Sequence, residues 1–278
     1  MSNPDRGLMI RSFMSFGLRV LGLVVARRTG STVLAELTID HHSYPNVEAH
    51  LFTAGDAAGW CPTFSDAYDV VLRRESVSRI SKPEKEWQTL LSRTEDLMEL
   101  LTDYRNRIQR GDYPSVMWAH TNRGWHRREW NPAPHPVPEP KEFIHYVDES
   151  IRPHILKLNE LGFGTMESCS GLKEEHPDRD PYWPYVMFDE RTYPGIVPHL
   201  FTLADAAGWV ATLAPHSFDV YLKVKRGDDL KKAWDRLVAS AAAVSGFLAT
   251  YRHRKMLELH ETPDTIRSMD HLGLTRVD

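Results

Sequence analysis

The sequence predicts an α+β protein built by tandem duplication, with two copies of an αββαβα unit packed as a pseudo-twofold dimer inside one chain. Residues 50–60 read HLFTAGDAAGW and residues 199–209 read HLFTLADAAGW, identical at nine of eleven positions. The same offset of 149 carries Tyr44-Pro45 onto Tyr193-Pro194 and Ile39-Asp40 onto Phe188-Asp189. Further on, Trp87 recurs as Trp234 and Tyr104 as Tyr251, now at an offset of 147. The third observation is the order of hydrophobic periods, which switch between helical and strand spacing in the same succession in both copies.

The elements of the second copy follow from those periods. Ile155, Leu158 and Leu161 share one face of a helix over residues 151–161, which stops at Gly162. A strand over 163–167 runs into Ser-Cys-Ser-Gly, and a second strand occupies 185–188. A helix through HLFTLADAAGW leads to a strand over 218–224, where FDVYLKV alternates. A long helix closes the unit, with Trp234, Leu237, Ala241, Val244, Leu248 and Tyr251 spaced by threes and fours. In the first copy the opening stretch RSFMSFGLRVLGLVVARR reads as a helix running into a strand. Arg19 interrupts it, and its apolar run is short of the ~20 residues a membrane span needs. Matching Gly22 to Gly162 gives the second copy nine extra residues between its first two strands, which makes that loop the elaborated one.

The domains are therefore residues 1–108, a connector over 109–145, and 146–278. With 41% hydrophobic and 26% charged residues, the 278-residue chain has globular composition. Its net charge of −4 gives no general attraction to polyanions, and two cysteines without a CxxC pair fit a reducing, cytoplasmic setting with no disulfide framework. The connector interleaves arginines with Trp118, Trp125 and Trp130. That composition suits single-stranded nucleic acid, with Arg123, Arg127 and Arg128 on phosphates, or a linker whose tryptophans dock while its arginines face water.

In the loop Ser168-Cys169-Ser170-Gly171, small residues after a strand let backbone N–H groups converge on an anion, and the serine hydroxyls add donors. Cys169 is a candidate nucleophile wherever positive charge lowers its pKa, and Glu167 beside it a candidate general base. The alternatives are a plain turn and a solvated carboxylate. Tyr182, Trp183 and Tyr185 are placed to wall a ring-shaped ligand or to cover the edge of the core.

The run YVDESIRPHILKLNELGFGTMESCSG, residues 146–171, resembles the wybutosine-synthesising tRNA methyltransferase family. In that family an acidic pair and an isoleucine open a helix, an asparagine lies near its end, and a strand enters Ser-Cys-Ser-Gly. Asp148, Glu149, Ile151, Asn159 and Ser168 to Gly171 occupy those positions, and Leu172 stands where the family has arginine. The similarity extends over residues 146–224. It implies S-adenosylmethionine as cofactor and a tRNA base as substrate. Asp148, Ser168, Ser170, Gly171, Tyr185 and His199 would then shape the site. The alternative is a non-enzymatic protein that holds a small anion or nucleotide in the same loop.

Histidines and carboxylates at Asp40, His41, His42 and His50, and at His176, Asp178 and Asp180, have metal-binding chemistry. Side chains on opposite strand faces make partial exposure the simpler expectation, and no metal ligands are assigned. His50, Asp56 and Trp60 recur as His199, Asp205 and Trp209, which reads mainly as packing within the repeated unit.

Overall fold

The structure, a computed structural model, describes residues 3–29, 32–76, 83–111, 139–177, 183–192, 195–214, 219–224 and 228–252. The first half runs α1 (Asn3–Ser15), β1 (Val20–Thr29), β2 (Thr32–Ile39), α2 (Val47–Ala58), β3 (Cys61–Phe64), β4 (Val70–Ser76), α3 (Pro83–Leu100) and α4 (Thr102–Gln109). The second opens with a single turn, α5 (Pro140–Phe143), and two 3-10 turns. It then runs α6 (Arg152–Glu160), β5 (Thr165–Cys169), β6 (Tyr185–Phe188), α7 (Ile196–Ala207), β7 (Val210–Leu213), β8 (Val220–Lys223) and α8 (Leu230–Phe247).

Each half holds one four-stranded antiparallel sheet, ordered β1-β2-β4-β3 in the first and β5-β6-β8-β7 in the second. The α+β class and the two similar halves are thus as expected, with one strand more per unit. The order is αββαββα, because β3 and β7 each form a four-residue edge strand straight after the Gly-Trp pair. Both Gly59 and Gly208 sit at φ 78°, ψ 20° as left-handed helix caps. Trp60 N–H donates to Gly55 O and Trp209 N–H to Ala204 O, each at 2.8 Å. This six-residue closure turns each tryptophan into its own core, where Trp60 lies 4.6 Å from Trp87 and Trp209 lies 5.0 Å from Trp234 between ring centroids. The duplicated tryptophans therefore serve the two cores rather than the contact between halves.

The strand register also corrects the alignment of the copies. Gly22 pairs with Thr38, and Glu167 with Met187, so Gly22 corresponds to Glu167. The partner of Gly162 is Gly17, which shares its positive φ after the first helix. The second copy carries four extra residues between its first two strands, not nine. The physical difference lies in what those residues do. In the first half the strands continue as a ten-residue and an eight-residue ribbon, whereas β5 stops at Cys169 and the chain leaves the sheet.

The halves meet through α2 and α7, two almost wholly buried helices. His50 Nε2 lies 2.9 Å from Asp205 Oδ2, and His199 Nε2 lies 2.8 Å from Asp56 Oδ2. Between them Thr53 and Thr202 join hydroxyl to hydroxyl at 2.8 Å. The surroundings repeat too: His50 meets Tyr104 edge-on at 5.3 Å and 90°, and His199 meets Tyr251 at the same distance and angle. A buried ion-pairing group is stable only with its partner in place, so these reciprocal pairs fix the two halves in a single arrangement.

Glu48 lies in the first turn of α2, 3% exposed. Burial raises its pKa from 4.5 to about 7, opposed by its own backbone N–H and by His41. A carboxyl whose folded pKa is raised stabilises fully below its unfolded pKa and loses that contribution as pH climbs through the folded value. Wild-type stability is therefore expected to fall between about pH 4.5 and 7 by up to about 3 kcal/mol from this group. Glu48→Gln should flatten that part of the curve in urea unfolding at stepped pH; an unchanged slope would remove Glu48 as its source.

Candidate functional site

Among the described residues, the helices cover one face of the second sheet and leave part of the other accessible. Val186, Phe188, Val220 and Leu222 point into the core. Alternation then sends Tyr185, Met187, Tyr221 and Lys223 to the opposite face. Register places Tyr185 beside both Cys169 and Lys223, and Met187 beside both Glu167 and Tyr221. Cys169 and Glu167 accordingly join this face from the edge strand, while Ser168 belongs to the core-facing set.

Trp183, Tyr185, Tyr221 and Lys223 line an open cleft of about 570 Å³. The two tyrosine rings stand 5.7 Å apart at 60°, Lys223 Nζ lies 5.5 Å from the Tyr221 ring centre, and Trp183 is 53% exposed. Burial and then the Glu167 carboxylate push the Tyr185 pKa up to about 12, and the same two causes raise that of Tyr221. Glu167 is thus within electrostatic reach of both phenols, which stay protonated as neutral donors at physiological pH.

The first half provides an internal comparison. In the matching positions of its sheet Glu36 pairs with Arg73, and Arg73 Nε donates to Glu36 Oε2 at 2.8 Å. An ion pair closes that face where the second half presents a tyrosine and a free-standing arrangement of ring and ammonium.

The Ser-Cys-Ser-Gly loop borders the cleft. Its strand is shifted from expectation: Ser168 and Cys169 end β5, and only Ser170 and Gly171 turn. The Ser170 amide donates to Asp148 Oδ2 at 2.7 Å and the Leu172 amide to Ser170 Oγ at 3.2 Å. The converging amides foreseen as an external anion site are in this way already occupied by the protein's own oxygens, with Asp148 as the resident anion. Asn159 ties the end of α6 to the start of the same strand. Its amide nitrogen donates to Ile155 O and Thr165 Oγ1, each at 2.8 Å, and its oxygen accepts from Thr165 N–H at 3.2 Å.

Cys169 is 5% exposed. Burial raises its thiol pKa, the Gly171 amide works against that, and the carboxylates of Asp148 and Glu175 raise it again. Burial and these carboxylates favour the neutral thiol, the opposite of the effect that positive charge has in activating a nucleophile. His176 lies over it, with Nε2 at 3.4 Å from Cys169 Sγ and 3.0 Å from Asp148 Oδ2. Sequence reasoning paired His176 with Asp178 and Asp180, which lie outside the described residues. The turn in which Glu175 N–H bonds Leu172 O and His176 N–H bonds Lys173 O instead folds the imidazole back onto the cysteine seven residues earlier.

His199 does not belong to this site. It is fully buried on α7 against Asp56, at the junction of the halves. Its strand-following position placed it near the loop in sequence terms, but the twofold contact claims its side chain. Arg123, Arg127, Arg128 and Tyr182 lie outside the described residues, as does most of the connector. A second cleft, of about 380 Å³, contains Arg107, Arg110 and Arg236 at the end of α7. There Arg107 Nη2 donates to Asp205 O at 3.1 Å, and Arg236 Nη2 to Asp228 Oδ2 at 3.0 Å, so two of its three cations already act within the fold.

Among the described residues, no helix is long and apolar enough to cross a membrane. Comparison with family models, with curated proteins and with solved structures finds no match to the chain.

Proposed function

We propose that the accessible face of the second sheet binds a nucleotide-class ligand, and that the chain is a tRNA-modifying enzyme similar to the S-adenosylmethionine-dependent methyltransferases of wybutosine synthesis. The supporting observation is the contrast between the halves: one scaffold, with Glu36 and Arg73 paired in the first copy, and Tyr185, Tyr221, Trp183 and Lys223 left as a cleft in the second. Aromatic side chains stack on a planar base. A sulfonium is attracted to tyrosine faces and to the Glu167 carboxylate, and Lys223 suits the amino-acid carboxylate of the same cofactor. The loop resemblance across residues 146–224 adds the reaction class.

A second reading, a non-enzymatic nucleotide- or anion-binding protein, is favoured by the buried Cys169, whose thiol pKa is raised. The two are separated by calorimetry with S-adenosylmethionine, S-adenosylhomocysteine and AMP, combined with radiolabelled methyl transfer to tRNA. Methyl transfer requires binding of S-adenosylmethionine and labelled tRNA; AMP binding alone leaves the second reading. Tyr221→Ala is expected to weaken ligand binding about 5- to 150-fold, in line with about 1–3 kcal/mol per stacked base. Arg73→Ala, on the closed face, should leave affinity unchanged. Equal losses in both variants would sink the assignment to the second sheet.

A further inference from the structure

We propose that Asp148, Cys169 and His176 form a mononuclear site for a divalent transition metal of the zinc class, using one carboxylate oxygen, one thiolate sulfur and one imidazole nitrogen. A fourth position remains for an exogenous ligand.

The argument rests on convergence. The three ligand atoms lie within 4.8 Å of one another. Sγ to Nε2 is 3.4 Å and Nε2 to Oδ2 is 3.0 Å. Around a tetrahedral zinc with bonds of ~2.3 Å to sulfur and ~2.0 Å to nitrogen and oxygen, neighbouring ligand atoms stand about 3.3–3.6 Å apart. The Sγ–Nε2 and Nε2–Oδ2 separations need to open by only a few tenths of an ångström, and Sγ and Oδ2, within 4.8 Å of each other, close onto the same point.

Catalysis by a cysteine–histidine–aspartate relay calls for a different arrangement. There the carboxylate holds one imidazole nitrogen while the other faces the thiol. Here Sγ and Oδ2 approach the same nitrogen, Nε2, which has a single proton or a single lone pair to offer. A shared point among the three atoms is the geometry of coordination rather than of proton relay.

The surroundings are built to match. Asp148 Oδ2 is oriented by the Ser170 amide at 2.7 Å, a backbone bond from the same loop. Glu175 is fixed nearby, its two oxygens accepting from Ser150 N–H at 2.9 Å and Ser150 Oγ at 2.7 Å. The excess of negative charge around a buried sulfur is relieved by a divalent cation. Partial exposure of the His176 and Asp148 side chains, 23% and 15%, leaves a path for the ion. Mixed sulfur, nitrogen and oxygen donors select zinc-like ions over magnesium or calcium.

Among the described residues a second converging group, Asp40, His41 and Asp69, already carries a cation: Arg19 Nη1 lies 3.1 Å from Asp40 Oδ2. It serves as the control.

Chelator-treated full-length protein is titrated with Co²⁺ and then Zn²⁺. One Co²⁺ per chain should bind with a near-ultraviolet thiolate-to-cobalt charge-transfer band and the strong visible bands of a four-coordinate site, and Zn²⁺ should displace it. Cys169→Ser is expected to abolish the charge-transfer band, His176→Ala to weaken binding at least tenfold, and His41→Ala to change neither. Circular dichroism confirms that each variant is folded. No band at saturating Co²⁺, a band that survives Cys169→Ser and so belongs to Cys61, or an affinity unmoved by His176→Ala would each overturn the proposal. The inference is independent of the ligand reading, because Tyr221→Ala disturbs the cleft and none of the three metal ligands.

Discussion

Replacing Asp205 by alanine is expected to cost about 3–5 kcal/mol in urea unfolding, a large part of the 5–15 kcal/mol typical of a domain. Asp205 Oδ2 accepts from His50 Nε2 at 2.9 Å and from Asn46 Nδ2 at 3.0 Å, and its side chain is 3% exposed. Removing it strands two donors where water does not reach, and stranded buried groups cost more than the bonds contributed. His50 also contacts Tyr44 Oη through Nδ1 at 3.2 Å, so the disturbance spreads along a connected chain. The pseudo-symmetric Asp56→Ala should be destabilising in the same way but less so, since Asp56 is the more exposed carboxylate at 9%. A loss below 1 kcal/mol for Asp205→Ala would show that the buried histidine–aspartate bonds do not hold the halves together.

The second large effect is expected at Gly171, and it is local. Its φ is +74°, a conformation that costs other residues about 1–2 kcal/mol. A Cβ there would also meet Pro184 Cγ at 2.4 Å and Cδ at 2.8 Å. Pro184 has little room to yield, because Val224 N–H donates to its carbonyl at 3.0 Å. Gly171→Ala therefore pushes on the residue between Trp183 and Tyr185, and should weaken binding in the aromatic cleft by more than tenfold while the rest of the chain stays folded. Cys169→Ser should affect that binding far less, since the cleft depends on backbone shape and not on the thiol. Ligand affinity and far-ultraviolet circular dichroism of the two variants make the comparison. If Cys169→Ser alone abolished activity in a protein that binds no Co²⁺, covalent catalysis would replace this account.

The duplication was legible because paired words at one offset need no structural assumption, and helices spaced by threes and fours carry long signals. Cys61–Phe64 and Val210–Leu213 were not, since four residues at a sheet edge barely establish a period of two. The six residues from His50 to Asp56 do not put the two side chains on one line of their helix. They lie symmetrically about Thr53, three residues to each side, inside an arc of about 120°. Two such helices crossing head to tail at Thr53 and Thr202 must bring each histidine to the other's aspartate. The spacing H-x2-T-x2-D, present twice, was the available signal.

The candidate site was half legible. Ser168 to Gly171, Glu167 and Tyr185 do gather at one edge of the second sheet, as did Asp148 through its bond to Ser170. Tyr221 and Lys223 were hidden because a strand far along the chain returns beside β6, a long-range pairing that alternation alone does not specify. His176 was visible as a chemical type, but which cysteine or carboxylate it would meet depended on a turn of irregular backbone.

The bonds between α2 and α7 join residues 143 to 155 positions apart, and both partners belong to one polymer. What would be a concentration-dependent association between two separate subunits is thereby a unimolecular docking step, driven by the effective molarity that a covalent tether provides. Dilution cannot separate the halves, and the aromatic cleft of the second stays docked to the first.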